Sequence, residues 1–128
     1  MSPRIYQQDP AVYWNTWAHK ECNALIRHDP RNCWAHLRQA QLYIEEKKFA
    51  EAEESMQKVS RIDPNFQKHL QLEVQGDFAM KKDEKDIDTA LKFYKQSATI
   101  KPEYFEVYIK MGKCFEKDKD FENATKNF

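Results

Sequence analysis

The sequence predicts an all-α fold, a helical-repeat solenoid of antiparallel helix pairs, on three observations. First, the 128 residues include only 2 Gly and 5 Pro while 33% are charged, a balance that suits long solvated helices and lacks the turn density of a β-sandwich. Second, Asp29-Pro30, Asp63-Pro64 and Lys101-Pro102 each follow a stretch with helical apolar spacing, and a proline is where such a helix has to stop. Third, Ala18, Ala52 and Ala90 each stand twelve residues before one of those prolines. The period is 34 residues, with one copy expanded.

Taken in order, helices are expected near 11–28, 31–46, 49–62, 67–82, 86–100, 104–118 and 121–128. Asp9-Pro10 opens the first, because Asp accepts from free amides and Pro at the first helical position has none to satisfy. Small residues recur in the others. Ala40 lies ten residues after Pro30, Gly112 ten after Pro102, and Gly76 twelve after Pro64. Ala52 follows Ala40 by twelve residues and Ala124 follows Gly112 by twelve, while fourteen separate Gly76 from Ala90. A small residue repeated at one place has a packing cause, since helix axes approach closely only where no bulky side chain intervenes. The mixed charges of Lys81-Lys82-Asp83-Glu84-Lys85-Asp86 mark a solvated turn in the expanded copy.

One terminal segment and three repeats follow. Residues 1–30 carry the Ala18 and Pro30 of a second helix with no first helix before it, so they are expected to form an N-terminal capping helix, a half-repeat. Residues 31–66 form a repeat, 67–103 an expanded one, and 104–128 a copy truncated in its second helix. That ending leads us to expect a fragment of a longer array.

The run Tyr108-Ile109-Lys110-Met111-Gly112-Lys113-Cys114-Phe115, with Phe121, Ala124 and Phe128 after it, resembles the tetratricopeptide signature W-x2-L-G-x2-Y then A-x3-F. Ala40-Gln41-Leu42-Tyr43 with Ala52, Met56 and Val59 is a second match, and Ala90, Tyr94, Ser97 and Pro102 supply the second half of a third. The resemblance runs from about residue 31 to 128 and implies a right-handed solenoid of the TPR type. The second copy departs from the pattern: His36 and Gln39 stand where the family places an aromatic and an aliphatic, and Trp34 and Leu37 come two positions early. We keep Ala40 and Tyr43 in the frame, because the shifted frame would put Arg38 in the small slot and Gln41 in the aromatic one.

Charge and motifs narrow the function. The 21 Lys plus Arg balance the 21 Asp plus Glu, which removes the global attraction that nonspecific phosphate binding needs, so no direct nucleic acid is expected. Neither a secretory leader nor an apolar run of membrane length is present in the sequence. Three cysteines at irregular spacing suit a reducing compartment, and the expectation is an intracellular, cytoplasmic protein. His19-x2-Cys22 and Cys33-x2-His36 have the spacing of paired zinc ligands. Cys22, however, occupies the slot of Met56 and Tyr94 in later copies, so the four read as packing residues and no metal or other cofactor is expected. No Cys, His or acidic residue sits in a Gly-rich turn that would expose a nucleophile, and no phosphate loop is possible, so no catalytic residue is expected.

The resemblance implies a non-enzymatic scaffold in which the first helix of each pair lines a concave groove for a peptide or helix of a partner protein. The matching groove would consist of Trp34, Leu37, Gln41, Ile44 and Glu45, then Leu70, Glu73, Asp77 and Lys81, then Glu106, Ile109, Lys113 and Glu116. A branch of that family grips acidic chaperone tails with Lys and Asn; here the corresponding places hold Leu37, Gln41, Val74, Glu106 and Lys110, of which Lys110 alone is basic. The dense aromatics Tyr13, Trp14 and Trp17 cover more of the first helix than one packing stripe needs and leave area for a partner. Two alternatives stand beside this reading: a half-repeat-type scaffold of an RNA-processing complex, suggested by Tyr13-Trp14 and Trp34, and an array that self-associates through its uncapped C-terminal end.

Overall fold

A computed structural model describes residues 9–126, with side chains through Lys119. Six helices occupy the described residues, and no strand is found among them: α1 (Pro10–His28), α2 (Cys33–Glu45), α3 (Phe49–Ile62), α4 (Lys68–Lys82), α5 (Ile87–Ile100) and α6 (Phe105–Lys126). The all-α repeat architecture is as the periodicity predicts. No helix among the described residues is long and apolar enough to cross a membrane.

Local chemistry sets the helix ends. Asp9 accepts from the Ala11 amide at 2.9 Å with Pro10 at the first helical position, Asn32 from Ala35 at 3.1 Å, and Asp86 from Thr89 at 3.4 Å. Each of these side chains satisfies an amide that the first helical turn leaves open. At the other ends, Asp29, Asp63 and Lys101 close α1, α3 and α5 with φ between −133° and −152° and ψ between 84° and 97°. Each precedes a proline, whose ring crowds the preceding residue out of the helical region.

Two compact units divide the chain, residues 1–63 and 64–128. In the first, α2 packs against both α1 and α3. Gln39 donates to Asn23 at 2.9 Å, and the His19 ring lies 4.7 Å from that of Tyr43. Contacts that rise along α2 while falling along α1 make the two helices antiparallel. Ala40 and Ala52, the small residues of α2 and α3, are 0% exposed. In the second unit, Ser97 donates to the His69 carbonyl at 2.7 Å and Tyr94 to Asp77 at 2.6 Å, so α4 and α5 are antiparallel too. Ile87, Ala90, Leu91 and Tyr94 of α5 meet Val107 and Cys114 of α6 in the core of this unit.

The two places where the second repeat departs from its pattern prove to be hydrogen-bonded. His36 is buried with Nε2 2.8 Å from the Pro30 carbonyl, and buried Gln39 reaches Asn23. At Gln39 and at His36 Nε2 the hydrogen bonds offset the cost of burying a polar group, whereas the buried Nδ1 of His36 has no hydrogen-bond partner.

Two expectations require correction. A turn was expected at residues 119–120 with a new helix over 121–128, but α6 runs unbroken from Phe105 to Lys126. The segment Glu116-Lys117-Asp118-Lys119-Asp120 contains neither Gly nor Pro, so nothing in it forces the chain to turn. Residues 127 and 128 lie outside the described part. Second, Gly112 is no point of close approach: a Cβ added there would meet nothing within 4 Å. With α6 straight, no helix crosses its outer side among the described residues.

Candidate partner-binding surface

The thirteen expected groove residues fall into both units, five in the first and eight in the second. In the first unit, Trp34 is 54% exposed and Glu45 is exposed, Gln41 is half-buried, and Leu37 and Ile44 are only 3% and 4% exposed. The last two are therefore largely withdrawn from any accessible surface. In the second unit, Ile109 is 52% exposed, Lys81, Glu106, Lys113 and Glu116 are exposed, Leu70 and Asp77 are half-buried, and Glu73 is 3% exposed.

Polar residues join α4 to α6. The Lys110 ammonium lies 2.8 Å from Asp77 Oδ2 and 3.1 Å from Glu73 Oε2, while Tyr104 places its hydroxyl 3.0 Å from both Glu73 Oε1 and Glu106 Oε2. His69 sits edge-on to Tyr104 with ring centroids 5.1 Å apart. Contacts run from 69 with 104 to 77 with 110, so these two helices lie side by side in the same direction, one repeat apart. Asp77 also accepts from Tyr94 of α5, which ties all three helices of the unit together.

The electrostatics follow from burial and from this excess of carboxylates. Burial pushes the Tyr94 and Tyr104 hydroxyls far above the ordinary phenol range, with Asp77 adding to the shift at Tyr94 and Glu73 and Glu106 at Tyr104. Both therefore remain proton donors. Burial alone pulls the Lys110 pKa down, but the Asp77 and Glu73 carboxylates outweigh it and the net shift is upward. Lys110, the one basic residue at the family's acid-gripping positions, is thus committed to internal partners.

Several features read from the sequence lie apart from this cluster. His19 contacts Glu46 at 2.9 Å and His36 turns to Pro30, so these two histidines do not converge with Cys22 and Cys33; no metal-sized group of His, Cys, Asp or Glu occurs among the described residues. Burial raises the thiol pKa of Cys22, Cys33 and Cys114, which suits packing residues. Tyr13, Trp14 and Trp17 are exposed on α1 and packed edge to face, with centroids 5.4 and 6.1 Å apart along the row. In the second unit a cleft of about 510 Å³ opens between Leu72 of α4 and Phe93 and Ile100 of α5, with Lys68 at its edge.

Tyr94 and Tyr104 were absent from the sequence-derived groove. A signal existed for Tyr104 alone: Glu73 precedes it by 31 residues and Asp77 precedes Lys110 by 33, within five of the 36 that separate Gly76 from Gly112, so polar partners near that offset are candidates for neighbouring positions on parallel helices.

Comparison with known proteins adds one finding. Residues 35–66 match the family model of the tetratricopeptide repeat. No curated protein matches the sequence.

Proposed function

We propose that this chain, which carries a tetratricopeptide repeat over residues 35–66, is a non-enzymatic scaffold that holds a peptide or helical segment of a partner protein within a larger assembly. Proteins built on this repeat are generally interaction modules. The supporting observation is the side-by-side, same-direction arrangement of α4 and α6, joined through Glu73, Asp77, Tyr104 and Lys110. Successive first helices aligned in this way offer an ordered surface on which an extended or helical segment can lie. In this reading the repeats are 31–66, 67–103 and the copy beginning at 104, with 1–30 as the N-terminal cap.

The commitment of Lys110 to Glu73 and Asp77 argues against capture of an acidic chaperone tail, since its charge is already compensated. Trp34 and Ile109, each more than half exposed, supply the apolar anchors that usually dominate such contacts. Affinity purification of the wild type beside Trp34→Glu and Ile109→Glu tests the reading, because charged residues at exposed positions leave the fold intact. We expect Trp34→Glu to lose a partner held by the first unit and Ile109→Glu to lose one held by the second. Retention of every partner by both variants would overturn the reading.

A second reading, self-association, is favoured by one observation. Tyr108 and Phe115 are exposed on the side of α6 where Gly112 meets no neighbour. Concentration-dependent mass in light scattering would distinguish the two.

A further inference from the structure

We propose that the α4–α6 face at Glu73, Asp77, Tyr104 and Glu106 receives a basic side chain, lysine or arginine, of the bound polypeptide; this rests on the scaffold reading above. Glu73 and Asp77 share the Lys110 ammonium, and Glu106 joins them through the Tyr104 hydroxyl, so three carboxylates stand against one paired cation and the cluster carries excess negative charge.

Proton donors are short as well. The Tyr104 hydroxyl has one proton but lies 3.0 Å from Glu73 Oε1 and equally far from Glu106 Oε2, so it serves one of them at a time. Glu73 is 3% exposed, and its second oxygen, Oε2, accepts no hydrogen bond: Lys110 Nζ stands 3.1 Å away, off the line that a directed bond requires. A buried carboxylate oxygen without a donor is the costly half of an incomplete polar network.

An incoming cation supplies Glu106 from outside, while Glu73 Oε2 keeps its Lys110 ion pair. Glu106 is exposed and Asp77 partly so, and a guanidinium or ammonium on Glu106 forms a charge-assisted hydrogen bond there. With Glu106 supplied, the Tyr104 proton is free to stay on Glu73. The visitor therefore improves a buried bond that it does not touch. An acidic side chain would add to an existing excess, and a neutral one would bring donors without charge. Lys113, seven residues beyond Glu106 on α6, forms no ion pair with the cluster.

Fluorescence anisotropy with degenerate dodecapeptide pools tests this on the whole chain. The pools share one fixed leucine and differ at one fixed position, which is Arg, Lys, Gln or Glu. We expect the Arg and Lys pools to bind about three- to tenfold more tightly than the Gln pool, and the Glu pool to be weakest. The preference should shrink with added salt and vanish in Glu106→Gln, whose circular dichroism should match the wild type because Glu106 is exposed. Equal binding of the Arg and Gln pools, or a preference that survives Glu106→Gln, overturns the inference while leaving the scaffold reading standing. Failure of every pool to bind overturns both.

Discussion

The ring of Tyr94 lies directly over Gly76. A Cβ built on Gly76 would come within 2.7 Å of Tyr94 Cδ1 and 2.9 Å of Cζ, and the ring cannot retreat easily, because Tyr94 is buried and its hydroxyl is bonded to Asp77. The second unit thus has one position where only a hydrogen fits, and the packing of α5 on α4 depends on it.

Gly76→Ala is expected to destabilise the chain by about 1–3 kcal/mol, because overpacking outweighs the gain in helix propensity. Gly112→Ala should have the opposite sign. Nothing stands within 4 Å of a Cβ there, so the substitution removes only backbone freedom from the unfolded chain and stabilises by about 0.5–1 kcal/mol. Thermal melts of the two variants beside the wild type would show the midpoint moving in opposite directions.

Lys110→Met is expected to cost about 1–3 kcal/mol, below the roughly 3–5 kcal/mol of a fully buried broken ion pair because the Lys110 side chain is 34% exposed. It would leave Glu73 and Asp77 without their shared cation. Urea unfolding of the variant beside the wild type measures the loss.

His69 provides a pH dependence. Burial, aided by the nearby Lys101, holds its imidazole pKa below the ordinary value of 6.5, against the opposing pull of Glu73 and Glu103. The unfolded chain therefore takes up a proton at His69 before the folded one does. Stability falls as pH drops below 6.5 and levels off once the folded imidazole also protonates. The loss between pH 7.5 and 5.5 should be smaller in His69→Leu than in the wild type.

Lys47 stands at a left-handed position, φ 60°, in the turn between α2 and α3. The Lys48 amide bonds the Tyr43 carbonyl at 2.9 Å, the six-to-one bond of a helix ending that usually uses glycine. Lys47→Gly should stabilise the first unit by about 0.5–1 kcal/mol by relieving that backbone strain. A higher urea midpoint would verify it, and an unchanged or lower one would show that the lysine contributes something the turn geometry does not reveal.

Much of this was legible beforehand. The Asp9 cap is legible because its side chain acts on an amide two residues away, a range that sequence spacing describes directly; Asn32 and Asp86 cap in the same way at positions the sequence reading places inside helices. Ala52 and Ala90, each twelve residues before a proline, are fully buried, as is Ala40, while Ala18 at the same offset is half-buried. Leu37 and Ile44 were read as groove residues and are buried, because α2 has helices against more than one of its sides and a single apolar stripe no longer tells inside from outside. His36 and Gln39 broke the pattern since their partners, Pro30 and Asn23, belong to the preceding helix and turn.

By itself the sequence determined the first five helices and the repeat of 34 residues, since these follow from proline sterics, capping and the periodic placement of small side chains. Tertiary structure alone decided that Gly76 is crowded while Gly112 is open, and that Glu73, Asp77, Tyr104 and Lys110 form one network. The physical reason is range. Helix signals act within one or two turns of the chain, whereas a ring over a glycine or an ammonium shared by two carboxylates joins residues 18 to 37 positions apart, and only packed helices bring them within bonding distance.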